Sequence, residues 1–220
     1  MHIGLARFLS YIGHPLLMLT YTLLLMLFAN PYTFGVHHPG DPKSMVLILS
    51  VFFCTFLIPG VGVALMKMLG LIKSFEMEDQ QERIGPYIVT GVFYLWLFKN
   101  LIAGGAVPPL YAQFALGATI GLFFAFFINI FTKISAHATG AGGFAVMMLI
   151  TAFEWSGSGL IIPVPGGSIQ LSFLMIAALT LLFAGLIGTA RLALQAHTTT
   201  DIWRGYAAGA GAVLLAYFIG

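Results

Sequence analysis

Seven runs of predominantly apolar residues divide this chain, at about 10–29, 44–69, 87–103, 112–131, 137–153, 169–190 and 200–218. Most reach the roughly 17 to 25 residues that let an α-helix cross a hydrocarbon core, and no two-residue alternation points to a β-barrel. The expectation is an all-α, multi-pass transmembrane helical bundle of about seven spans, one membrane-embedded domain over residues 1–220. The third and fifth runs are short, so six spans plus a re-entrant piece is the alternative. A cleavable signal peptide needs a short apolar core, whereas the first run continues for about twenty residues and reads as a retained span.

Composition narrows the function. Hydrophobic side chains make up 60% of the chain and charged ones 7%, against about 25% charged in soluble domains. Nine Lys plus Arg against seven Asp plus Glu are too few and too scattered to neutralise a run of nucleic-acid phosphates, which excludes nucleic acid as a partner. The single cysteine, Cys54, lies inside an apolar run, so it reads as a buried inert thiol with no disulfide framework and no thiolate metal site. His37 and His38 are adjacent but have no third ligand at suitable spacing. Their loop, Pro31 to Pro42, and the Gly- and Pro-rich stretch Glu154 to Gly167 read as connectors.

Most of the remaining charge collects in three connections, after the second, fourth and sixth runs, which by parity share one membrane face. The first runs from Lys73 to Pro86 and holds Arg83 and four of the seven acids, Glu76, Glu78, Asp79 and Glu82. The second runs from Thr132 to Gly140, where Ser135 is placed to cap a helix whose first turn carries His137, with Lys133 just before it. The third carries Arg191, His197 and Asp201. A histidine and an aspartate four apart share one helical face, so Asp201 is expected to accept a hydrogen bond from one ring nitrogen of His197 and leave the other outward as a nucleophile or base. Arg191 suits bidentate contact with phosphate oxygens. A second histidine, His137, at a helix start could donate a proton to a leaving oxygen. The chemistry this suggests is phosphoryl transfer through a phosphohistidine.

These residues resemble the type 2 phosphatidic acid phosphatases, the lipid phosphate phosphatases related to haloperoxidases. That family's motifs are Lys-x6-Arg-Pro, Pro-Ser-Gly-His and Ser-Arg-x5-His-x3-Asp. Arg191, His197 and Asp201 stand at the third spacing, with Ala190 in place of its Ser, and Gly205 and Gly209 follow at the family's intervals. Ile134, Ser135, Ala136 and His137 keep the Ser and His of the second. The first is the most divergent: Lys73 precedes Arg83 by ten positions instead of seven, and two residues separate Arg83 from Pro86. The resemblance covers about residues 70–210 and implies a six-helix phosphatase core plus one span. It further implies an integral-membrane lipid phosphate or pyrophosphate phosphatase, with the lipid phosphate as substrate and the bilayer as surroundings. His197 would attack phosphorus, Asp201 would orient it and His137 would protonate the leaving group. Arg191, Arg83, Lys73 or Lys133, and Ser135 would hold the phosphate oxygens without a metal or other cofactor.

Alternatives stand beside this. The acidic cluster could pair with Arg83 or bind a divalent cation. A haem- or quinone-binding subunit would use His14, His137 and His197, and a catalytically silent scaffold would keep the fold alone. Gly140, Gly142, Gly143, Gly205 and Gly209 are expected to let the two histidine-bearing helices approach closely. Trp203 and Arg204 read as interface residues. Arg7, Lys67, Lys73, Arg83, Lys133, Arg191 and Arg204 fall on the motif face against Lys43 and Lys99 on the other. By the positive-inside rule this points to a cell-membrane protein with a cytoplasm-facing site and an outward C-terminus.

Overall fold

A computed structural model describes residues 1–77, 79–105 and 107–220. Among these described residues, seven helical segments are long and apolar enough to span a membrane: Ile3–Ala29, Pro42–Met68, Gln81–Gly104, Pro109–Phe131, Ala136–Glu154, Phe173–Ala193 and Thr199–Ile219. The chain is an all-α, multi-pass membrane bundle. The third and fifth segments are full helices of 24 and 19 residues, so the re-entrant alternative does not hold. Large apolar side chains such as Val46, Leu65, Leu182 and Phe218 stay exposed on the outside, as suits a surface solvated by lipid tails.

Two spans are interrupted. The first comprises α1 (Ile3–Ile12) and α2 (Met18–Ala29), and begins well before the expected residue 10. Gly13 caps the end of α1, and Pro15, which has no N–H to give, opens a 3-10 turn with His14 as its cap. The second comprises α3 (Pro42–Phe52) and α4 (Ile58–Met68), joined by a π-helical turn at Phe53–Leu57. Pro59, two residues past the turn, removes an amide donor, the usual cause of such a local rewinding. Cys54 is buried in that turn.

The other spans are α5 (Ile84–Gly104), α6 (Pro109–Phe131), α7 (Ala136–Glu154), α8 (Phe173–Ala193) and α9 (Thr199–Ile219). Helix α7 lies at the centre, packed against α9, α8, α6 and α2, with α5 outside α6 and α1 beside α8. Small residues make this closeness possible. A Cβ on Gly205 would stand 2.7 Å from the Ser135 carbonyl oxygen, and one on Gly142 would stand 2.8 Å from the Tyr206 carbonyl oxygen. The α7/α9 glycine pairing expected from sequence is therefore present, except that Gly140 faces Pro15 of the first span instead of α9.

One connection differs from expectation. Part of the stretch read as a loop, and the start of the sixth apolar run, form an antiparallel hairpin of β1 (Gly159–Val164) and β2 (Gly167–Ser172). Pro165 and Gly166, the latter at φ +88°, supply its type II turn.

Candidate active site

The turn from α8 into α9 is built in a few residues. The N–H of Ala196 reaches the Arg191 carbonyl at 3.1 Å and that of Gln195 the Leu192 carbonyl at 2.9 Å, the paired bonds of a Schellman ending. Gln195 takes the left-handed position at φ +53°. Thr198 then caps α9 in a reciprocal box: its hydroxyl accepts from the Asp201 N–H, and Asp201 Oδ2 accepts from the Thr198 N–H at 2.9 Å. His197 sits between these two caps.

This corrects the geometry expected for His197 and Asp201. They are not on one helical face, because His197 precedes the helix. Its Nδ1 lies 3.7 Å from Asp201 Oδ2, an electrostatic contact and too long for the expected hydrogen bond. Both side chains are more than nine-tenths buried. His197 Nδ1 has no hydrogen-bond partner among the described residues, and neither does the Nε of Arg191 in the last turn of α8. Two buried donors or acceptors without partners in one small region are uncommon in a folded chain.

The three connections do converge. Ser135 caps α7 through the Ala138 N–H, and its own N–H donates to the Asp201 carbonyl at 3.3 Å, so the starts of α7 and α9 are stitched together. Arg83 lies at the start of the third span and donates from Nε to the Met77 carbonyl at 2.8 Å and from Nη1 to the Ile134 carbonyl at 3.3 Å. It therefore ties the first connection to the second, with three of its five N–H groups free of these bonds. His137, in the first turn of α7, meets the Ser10 carbonyl through Nε2 at 3.2 Å, and Arg191 Nη1 reaches the Ser10 hydroxyl at 3.5 Å.

Electrostatics set His197 apart. Burial, and then the charges of Arg191, Arg83 and Lys133, hold its imidazole below the ordinary value of 6.5, while Asp201 pulls the other way. Three cations against one carboxylate thus act on a buried ring that stays neutral at pH 7. Lys133 is half-buried and among these charges, whereas Lys73 is exposed and its main-chain N–H donates to Glu82 at 3.1 Å.

Of the acidic cluster, Glu78 lies outside the described residues. Glu76 and Asp79 are exposed, and no metal-holding group of three His, Cys, Asp or Glu forms among the described residues. His14 packs edge-on to His137 with ring centroids 5.5 Å apart, leaving no gap for a macrocycle between them. Trp203 is exposed, and Arg204 donates to the Thr132 hydroxyl at 2.7 Å, a further tie across the motif face.

Residues that carry no motif complete the site. Ser10 contributes a carbonyl and a hydroxyl from the first span. Asn129, buried near the end of α6, donates to the Gln80 carbonyl at 3.0 Å and holds the first connection down. An amide inside an apolar run was the legible signal for Asn129. Ser10 acts largely through its main chain, which no sequence pattern announces.

Cavities elsewhere offer a different chemistry. One of about 600 Å³ at the opposite end is lined by Glu154, Tyr217, Gln113 and apolar residues, with Glu154 accepting from the Tyr217 hydroxyl. Among the described residues that line it there is no cation to receive a phosphate. No family model matches the chain, and no curated protein or solved structure matches it.

Proposed function

We propose that this protein is an integral-membrane hydrolase of lipid phosphates or pyrophosphates, working through a phosphohistidine at His197. The observation that carries the reading is the buried imidazole of His197, whose Nδ1 has no hydrogen-bond partner among the described residues, under the combined charge of Arg191, Arg83 and Lys133, with Asp201 as its counter-charge. A phosphoryl group brings two negative charges and three acceptor oxygens, which such a constellation complements.

In the reaction, Asp201 favours the proton on His197 Nδ1 and leaves Nε2 to attack phosphorus. The substrate's phosphate passes its one proton to His137 Nδ1; a P–N bond then forms as the P–O bond to the lipid breaks, and His137 gives that proton to the departing oxygen. Water then attacks the phosphohistidine with His137 taking its proton, and inorganic phosphate leaves. Arg191, Arg83, Lys133 and the Ser135 region stabilise the charge spreading over the equatorial oxygens. Asp201 stands beyond hydrogen-bond reach in the resting protein, and contacts of this kind often tighten only when substrate is bound. Lys73 is left out of the phosphate-binding set because its side chain is exposed.

One feature favours the silent-scaffold reading: Arg83 already spends two donors on main-chain carbonyls, as a purely structural arginine would. A panel of purified lipid phosphates and pyrophosphates assayed in detergent for phosphate release separates the two. Release from at least one substrate, retained in excess chelator and lost in His197→Ala, supports a metal-independent hydrolase. No release from any member sinks the proposal, and metal-reversible loss in chelator transfers the role to a cation site. We place the site on the cytoplasmic side of the cell membrane, on the charge asymmetry of the connections.

A further inference from the structure

The resemblance involves the connections after the second, fourth and sixth spans, yet the break in the first span is packed into the same site. His14 caps the 3-10 turn at Pro15–Leu17, its Nδ1 accepting from the Leu16 N–H at 3.4 Å. The break is seated on α7 at Gly140, one turn beyond His137, where a Cβ would stand 2.8 Å from Pro15 Cα. Only a residue without a side chain allows the proline so close. The ring of His14 consequently meets His137 edge-on at 77°, and also meets Phe56 at 88° with centroids 5.7 Å apart.

Hydrogen bonding then fixes protons. A carbonyl oxygen only accepts, so the Ser10 contact at 3.2 Å places the proton of neutral His137 on Nε2. Nδ1 is left as the nitrogen with a free lone pair. In His14 the Nδ1 lone pair is taken by the Leu16 N–H, so its proton also lies on Nε2.

We propose that His14 is a positioning residue for His137: held in the break of the first span, its ring walls His137 so that, with Nε2 tied to the Ser10 carbonyl, Nδ1 alone serves proton transfer. The kinetic part of this rests on the hydrolase reading, and the tautomer and ring placement do not. Two substitutions divide the features of His14. His14→Asn keeps a side chain able to cap the turn and removes the wall, whereas His14→Phe keeps the wall and loses the cap acceptor.

The test uses the full chain in detergent, labelled with ¹⁵N-histidine, with the His137 resonances assigned by their loss in His137→Gln. In the parent protein, His137 should show the Nε2–H tautomer. In His14→Asn its resonances should move and kcat should fall about ten- to a hundred-fold with KM changed by less than about two-fold, the signature of a misplaced catalytic group. His14→Phe should recover most of kcat. An Nδ1–H tautomer in the parent, or unmoved resonances and parental kcat in His14→Asn, overturns the proposal. Resonances that move in a protein without turnover on any phosphate ester support the positioning and refute the hydrolase reading instead.

Discussion

Gly205→Ala tests whether contact between α7 and α9 sets the site. The added Cβ would lie 2.7 Å from the Ser135 carbonyl oxygen, 2.8 Å from the Ala138 Cβ and 3.1 Å from the Thr139 nitrogen. Two of these neighbours are backbone atoms and none is the far end of a flexible side chain, so the helices themselves must part. Restoring ordinary contact at 3.4 Å from 2.7 Å requires a shift of roughly 0.7 Å. Overpacking of this kind costs about 1–3 kcal/mol, less the fraction returned because Ala favours helix over Gly. The parting also moves His137 on α7 away from Asp201 on α9, and a displacement of about 1 Å can lower a rate about a hundred-fold. Gly211→Ala is the control on the same helix, since nothing lies within 4 Å of its Cβ position and the change should be neutral or stabilising. Thermal unfolding in detergent and phosphate release are read on both variants. Gly205→Ala should unfold several degrees lower and lose most activity while Gly211→Ala does neither. A Gly205→Ala protein with parental stability would refute the packing argument whatever its activity.

Arg191→Lys should be nearly as damaging to kcat/KM as Arg191→Ala, because an ammonium cannot supply the planar fork whose Nη1 reaches Ser10 while Nε has no partner among the described residues; a fully active lysine variant would make Arg191 structural. Since Asp201 is the group that raises the affinity of His197 for a proton, Asp201→Asn should move the acid limb of the kcat/KM profile to lower pH, and an upward move would contradict the assignment. Folding is linked to the same titration. The unfolded chain binds this proton near pH 6.5 and the folded one only at lower pH, so the contribution of His197 to stability is full above about 6.5 and is lost as pH falls below it. Unfolding followed from pH 8 to 5 should show that loss, reduced in His197→Ala. In a Cys54→Ser background, Asp79→Cys should resist a membrane-impermeant thiol reagent in intact cells and react after permeabilisation; equal labelling in both would place the site outside.

The fold was largely legible because crossing lipid demands long uninterrupted apolar runs, and charge had nowhere to collect but the connections. The hairpin at Gly159–Ser172 was hidden by its composition, since Ile161, Ile162 and Ile169 lack an inside-outside alternation and are all exposed. At the site, the convergence of Arg83, Ser135, His137, Arg191, His197 and Asp201 on one face followed from span parity. What spacing could not reveal was that His197 falls between two helix caps, because an interval of four describes a face only within a continuous helix. Nor did it show the seating of Pro15 on Gly140, which depends on contacts between residues 125 positions apart in the chain.

The central claim is that His197 becomes covalently phosphorylated. Purified protein is mixed with a lipid phosphate labelled with ³²P, denatured within milliseconds to seconds, and digested for mass spectrometry. A label stable in base, labile in acid, located on His197 and missing from His197→Ala is the expected result. Phosphate released steadily with no labelled His197 at any time point, or label on another residue that survives His197→Ala, would contradict it.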